Sequence, residues 1–401
     1  LAADGVRFTR AYCPFPLSGP CRASLVTGRM PFEVGAFDNA IRPNDADMRA
    51  GIGHRLAEAG YECLYAGKWH VPEVNLPDSG TGFRRISKMN DPALADACDA
   101  ALKEYDGQKP LFLVASLLNP HEICEYGRHE TLQYGELAPF STEECPNLPA
   151  NFMPSTYAAE ALTLEHASSP RYHDTYTYTQ DDWRRYLYAY YRLVERVDRE
   201  VGRIVEVLKA RGLYDDSAII FLSDHGDGVA AHGWNQKWNL QEEVVNVPLI
   251  VKAPEGAGLR GVRNDEALSN VGLDLYATVC DYAGVAPDPG RYRGRSLRPV
   301  AEGRQTTLHD EVFVETLLPG PGMRGWCVVG PRYKYVLYQW GRNREALYDL
   351  QDDPGEMVNL AVDRRYETEL NRLRRAMYDW GVRIGDPKLV RNLRPFAETR
   401  N

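Results

Sequence analysis

Basic charge is in short supply in this chain. Its 401 residues carry 47 Lys and Arg against 56 Asp and Glu, a formal net charge of −9. No lysine- or arginine-rich run stands out, so the broad cationic face that phosphate backbones require is missing, which argues against a nucleic-acid binder. A few cations gathered around a small anion remain compatible with that balance. Apolar runs long enough to span a bilayer are absent too, as are internal repeats and low-complexity segments. The eight cysteines (Cys13, Cys21, Cys63, Cys98, Cys124, Cys145, Cys280 and Cys327) include no CxxC pair and no zinc spacing. They read as reduced, buried thiols, with Cys124 and Cys145, which flank a loop, as the one pair to test as a disulfide. No signal peptide is visible. The opening "LAADGVRFTRAY" reads as the end of a helix, then Gly5 and a short strand, and is expected to have lost a segment upstream.

The length is enough to bury a sizeable core, and strand and helix signals alternate through the first three-quarters, the pattern of a sheet covered by helices on both faces. "MRAGIGHRLAEAGY" has helical apolar spacing up to Gly60, and "ECLYAG" then reads as a strand. "PLFLVASLL", "SAIIFLSD" and "VPLIVKAP" are continuous apolar runs of the fully buried strand type. Residues 181–212 form a long amphipathic helix closed by Gly212. Residues 122–180 break the rhythm with Tyr, Pro, Glu and His, and a loop of that length is usually functional. A Pro/Gly/Arg linker near 285–296 places a boundary between an α/β unit, 1–292, and a smaller unit, 293–401. In the latter, four strand-like pieces precede a helix at 365–384, the order of an antiparallel sheet packed by a helix.

Four polar clusters fall at strand ends, where open α/β sheets hold ligands. In "SGPCRASLVTGR", Ser18 would stand at a helix N-terminus, a position that favours anions but that an ordinary N-capping serine also occupies. "GKWH" follows a strand and places Lys68 and His70 on one side of an extended segment. "NPHE" follows another and offers His121, which alone reads as a structural histidine. "SDHGDGVAAHGWNQKW" supplies Asp224 and His225 as metal ligands, with His232 and Lys237 in the same loop; carboxylates suit hard cations and imidazole suits transition metals. So many ionisable groups after a buried strand would oppose one another without a ligand. A nucleophile, cations for an oxyanion, a histidine acid and metal ligands are the inventory for hydrolysing a sulfate or phosphate ester, and the residues alone do not choose between them.

These residues resemble the type I sulfatases of the alkaline phosphatase superfamily. Their signature is Cys or Ser, any residue, Pro, any residue, Arg, with Thr-Gly-Arg a few positions on; here Ser18, Pro20, Arg22, Thr27, Gly28 and Arg29 match it. "AGYECLYAGKWH", "NPHE", "SDHGD" with "HGWNQKW" and "VPLIV", and the late "LYDLQDDPGEMVNLA" follow in the family's order, so the likeness covers nearly the whole chain. It implies an α/β fold with a mixed, largely parallel central sheet between helices, and a C-terminal antiparallel sheet plus helix.

The resemblance also implies a modification. The first signature residue becomes formylglycine, whose aldehyde hydrate attacks sulfur and can then expel sulfate by C–O cleavage, an exit that plain serine lacks. Carried over by position, Ser18 is the residue converted and a metal ligand, and Arg22 holds its oxyanion form. Asp224 and His225 bind a divalent metal, calcium in first place. His225 stands where many members have Asn, which brings manganese or another transition metal into play. Lys68, His70, His121 and Lys237 surround the sulfate, with His232 ranked below them. The family's Asp-Asp pair of further ligands is expected upstream of Leu1. Serine at position 18 looks like the bacterial variant served by an oxygen-independent maturing enzyme, which leans to a periplasmic or secreted protein. The expected substrate is a small sulfated compound, a carbohydrate given the wide loop at 122–180. Two readings stay open beside it: a phosphonate monoester or phosphodiester hydrolase, and a non-catalytic anion binder with Ser18 unconverted.

Overall fold

The computed structural model describes residues 1–71, 80–168, 175, 177–287 and 292–398. The long segment at 122–180 and the linker near 285–296 therefore lie partly outside the described residues. Nine short strands build the larger unit: β1 (Val6–Phe8), β2 (Ala11–Tyr12), β3 (Glu62–Gly67), β4 (Arg84–Ser87), β5 (Leu111–Ser116), β6 (Ile219–Leu222), β7 (Leu249–Lys252), β8 (Val262–Asn264) and β9 (Ser269–Asn270). β3 pairs in parallel with β4 and β5, β1 with β8, and β2 with β9. Only β7 runs antiparallel to its neighbours, β1 and β6. The sheet is thus mixed and largely parallel, in the described residues split into β4-β3-β5 and β6-β7-β1-β8.

That split corrects one expectation. β5 and β6, apolar enough to be fully buried, are only half-buried along most of their length. Each has one edge without a strand partner among the described residues. Both strands line a cavity of about 880 Å³ walled on another side by Val197, Val201 and Ile204 of the helix Gln180–Ala210. Residues along both strands open onto that space, which leaves them partly exposed.

The helix Gln180–Ala210 starts as its sequence dictates. Thr179 Oγ1 accepts from the Asp182 amide and Asp182 Oδ2 accepts from the Thr179 amide, a reciprocal cap. Residues 122–168, expected as open loop, contain the helices Ile123–Gly127 and Glu160–Ser168. Ser18–Thr27 forms a helix ended by Gly28 at φ 67°, and a Cβ there would sit 2.8 Å from the Tyr276 ring. Conformation and space together require glycine in the Thr-Gly-Arg turn. The suggested disulfide is not formed: Cys124 and Cys145 are free and buried, with Cys124 Sγ donating to Gln236 Oε1 at 3.1 Å and Cys145 Sγ to the Ser141 carbonyl at 3.4 Å.

In the C-terminal unit, β10 (Val312–Leu318), β11 (Met323–Val329), β12 (Tyr333–Tyr338) and β13 (Glu345–Asp349) make an antiparallel meander. One face carries Val314, Cys327 and Val336 into the same core as Val6, Phe8 and Tyr12, so the units share their interior. The other face packs Trp326, Tyr335 and Leu337 under Leu373, Met377 and Trp380 of the helix Glu367–Ile384. A further helix, Pro387–Glu398, was not legible because Pro395 reads as a breaker. Asp386 starts it by accepting from the Lys388 and Leu389 amides.

Glu315 on β10 is buried beside Phe32, whose amide donates to its Oε2 at 3.1 Å; Arg324 stands 3.9 Å off and pairs chiefly with Asp386 at 2.7 Å. Burial pushes the Glu315 carboxyl up to about 8 against the pull of Arg324. The native state then keeps a proton that the unfolded chain has released, so this group's contribution to stability falls as pH rises from the ordinary carboxylate range to about 8. Glu315→Gln should remove that slope. Urea unfolding at several pH values checks it, and parallel stability curves for variant and wild type would refute it.

Candidate active site

Ser18 is the first residue of its helix, yet its hydroxyl does not cap it. Leu17 occupies the N-cap position without a side-chain bond, and Ser18 Oγ instead lies 3.1 Å from His225 Nε2. His225 Nδ1 lies 2.8 Å from the Gly226 carbonyl, an acceptor only, so Nδ1 carries the proton. Nε2 is left with a free lone pair for the serine hydroxyl. Burial pushes His225 down to about 3, which keeps the ring neutral. Gly226 must be glycine here: a Cβ would lie 2.0 Å from the Glu243 carbonyl.

Arg22, one turn on from Ser18, fastens the site. Its Nε donates to Asp224 Oδ2 at 2.9 Å, and Nη1 to the Lys68 carbonyl at 3.0 Å and Ser116 Oγ at 2.8 Å. Tyr65 also donates to the Lys68 carbonyl, at 2.7 Å. Burial alone would raise the Asp224 carboxyl, but Arg22, with His225, Lys68 and Lys237 behind it, holds it well below the usual range. Burial, with Arg22 adding to it, brings the Lys68 ammonium down to about 7.

Lys68, His70, His121 and Lys237 line an open cavity of about 730 Å³. The "GKWH" stretch is not extended as expected: Gly67 and His70 both have positive φ, 91° and 50°. The turn buries Lys68 and exposes His70, and both still line that cavity. His121 Nδ1 is 3.6 Å from Glu125 Oε2, and burial lowers the ring to about 4 against the pull of Glu125. His232 stands apart: it lines neither this cavity nor the one beside β5 and β6.

Several members of the constellation were not singled out in the sequence. Ser116 acts through Arg22, beside which the parallel β3–β5 register places it, and Tyr65 acts through the Lys68 carbonyl three residues on. Asp227, in the quoted "SDHGD", is buried and accepts from the Tyr186 hydroxyl and the Val229 and Gln236 amides. It braces the loop that carries Lys237. Arg85, within β4, and Lys88, just beyond its end, line the cavity and have no ion pair with any described residue.

A sulfatase family profile matches residues 1–285, and one for the C-terminal part of N-sulphoglucosamine sulphohydrolase matches 230–382. The chain belongs to the sulfatase family. This sulfatase is 30% identical to a Delta 4,5-hexuronate-2-O-sulfatase of Bacteroides thetaiotaomicron, over 100% of this chain and 86% of that one. A solved 2-O GAG sulfatase superposes with a TM-score of 0.84 at 28% identity, covering 96% of this chain and 86% of its own. A phosphonate monoester hydrolase from Silicibacter pomeroyi shares the fold alone, with a TM-score of 0.78 at 21% identity over 97% and 90% of the two chains. The sulfatase is accordingly a sulfuric ester hydrolase. None of its described helices is long and apolar enough to cross a membrane.

Family membership implies a divalent metal. Ser18 Oγ and His225 Nε2 meet at one point beside Asp224, whose Oδ2 is taken by Arg22. That set fits one side of a cation's shell, but it is short of the six to eight oxygen ligands that calcium takes. The described residues therefore do not fit calcium by themselves.

Proposed function

We propose that this sulfatase removes sulfate from a sulfated uronic acid sugar, with Ser18, once converted to formylglycine, as the nucleophile. The observation that carries the reading is Ser18 Oγ set against the neutral His225 Nε2 at one end of a cavity whose other walls carry Lys68, His121 and Lys237. The formylglycine hydrate would supply two hydroxyls, one to attack sulfur and one to release it. Arg22 and His225 hold the group in place, and Lys68 and Lys237 offset the sulfate's charge. An arriving sulfate also lifts His121 toward its protonated form, with Glu125 beside it, so that it can hand a proton to the leaving sugar oxygen. Arg85 and Lys88, cations without a partner among the described residues, suit a second anionic group such as a carboxylate. The hexuronate-2-O-sulfatase relative supports that choice of sugar. A divalent metal held in part by Asp224 and His225, a maturing enzyme as partner and a periplasmic or secreted location belong to the same proposal.

The test compares wild-type turnover on a 2-O-sulfated unsaturated uronate disaccharide, a 6-O-sulfated N-acetylglucosamine and an aryl phosphodiester. The sulfated uronate should be preferred. His121→Ala and Lys237→Ala should lower its turnover by about 10²- to 10⁴-fold with unfolding midpoints unchanged. A phosphodiester preference, or wild-type rates in both variants, would overturn the reading.

A further inference from the structure

His232, Glu243 and Glu356 bring one ring nitrogen and two carboxylate oxygens within 4.8 Å of one another. They come from three places: the turn Ala231–Gly233, the helix Glu242–Val245 and the loop after β13. His232 is 8% exposed and Glu356 1%. Neither ring nitrogen of His232 has a hydrogen-bond partner, and Glu243 Oε2 has none either. The Met153 and Gly355 carbonyls lie near the ring but not in hydrogen-bond geometry. Leaving such groups buried and unsatisfied forfeits their solvation, so a native protein rarely collects several in one place without a ligand.

The charges point the same way. Lys334, fully buried, sits 2.8 Å from both Glu242 Oε1 and Glu356 Oε1. Asn151 Nδ2 donates to Glu243 Oε1 at 2.7 Å, and the Glu242 amide to Glu356 Oε2 at 2.7 Å. Three carboxylates thus face one ammonium. A dication would balance the two uncompensated negative charges and give the imidazole lone pair a partner.

We propose that His232, Glu243 and Glu356 form a second metal site, distinct from Asp224 and His225, that takes a dication of the zinc or manganese class. One imidazole with two carboxylates suits those ions better than calcium. Each carboxylate oxygen has two lone pairs, so Glu356 Oε1 can keep Lys334 while it binds the ion. The ion would clip the loop that carries Lys237 to the segment after β13, joining the two units. Its role is structural and does not depend on the identity of the substrate.

The experiment uses full-length Asp224→Asn protein, which is weakened at the other site, stripped with chelator and titrated with Zn²⁺ or Mn²⁺ alone. Calorimetry should find one equivalent bound, and the unfolding midpoint should rise as metal is added. Adding the isosteric Glu243→Gln change should weaken that binding at least tenfold, and His232→Ala should abolish it. Circular dichroism confirms that each variant is folded. If the stripped Asp224→Asn protein takes up no metal, or if Glu243→Gln binds it as well as its parent, the site does not exist.

Discussion

Ser18→Ala is expected to lower sulfate ester hydrolysis by about 10⁴-fold or more, because it removes the proposed nucleophile while the surrounding cations keep a small residual rate. Its unfolding midpoint should move little. The Ser18 hydroxyl caps nothing, since Leu17 holds the N-cap position, and its one described hydrogen bond, to His225 Nε2, is replaceable by water from the cavity beside β5 and β6, which both residues line. Turnover of an aryl sulfate by wild type and variant, with urea unfolding alongside, checks both halves. Mass spectrometry of the wild-type peptide adds the chemistry, since conversion removes two hydrogens. A variant within tenfold of wild type would mean that the nucleophile lies elsewhere.

Arg22→Ala should behave in the opposite way and strike the fold first. Asp224 stays buried when its partner at 2.9 Å is deleted, and an uncompensated buried carboxylate costs about 3–5 kcal/mol. The Lys68 carbonyl and Ser116 Oγ each lose a donor in the same step, although Tyr65 still reaches the carbonyl. Arg22→Lys should recover only part of the loss, because a lysine restores charge but not a fork that reaches Asp224 and Ser116 together. Urea unfolding of the three proteins gives the answer. A cost below about 1 kcal/mol for the alanine variant would show that water enters and solvates Asp224.

Much of this was legible in the chain. The strand-end position of the Lys68, His121 and Asp224 clusters followed from the strand-like runs before them, and the signature gave Ser18 its expected role. What the local sequence could not give was direction. Ser18 reads as a helix cap until His225, brought to it across the sheet, gives its hydroxyl another partner. "GKWH" reads as extended until Gly67 and His70 take positive φ. "PLFLVASLL" and "AIIFL" read as fully buried because hydropathy reports what a side chain prefers, not whether the neighbouring strand position is filled. The His232 group escaped for a related reason. Its three members come from stretches that no spacing rule links, and "DPGE" looks like a turn.

Arg22 has a mechanical part as well as an electrostatic one. Lys68 and Ser116 ride on the β4-β3-β5 sheet, Asp224 and His225 on the sheet that contains β6, and no described backbone hydrogen bond crosses between these strands. The guanidinium is a stitch across the seam, with Nη1 on one side and Nε on the other. The separation of Lys68 from His225, the partner of Ser18, is thus fixed in part by one guanidinium that measures out the distance between two strand ends.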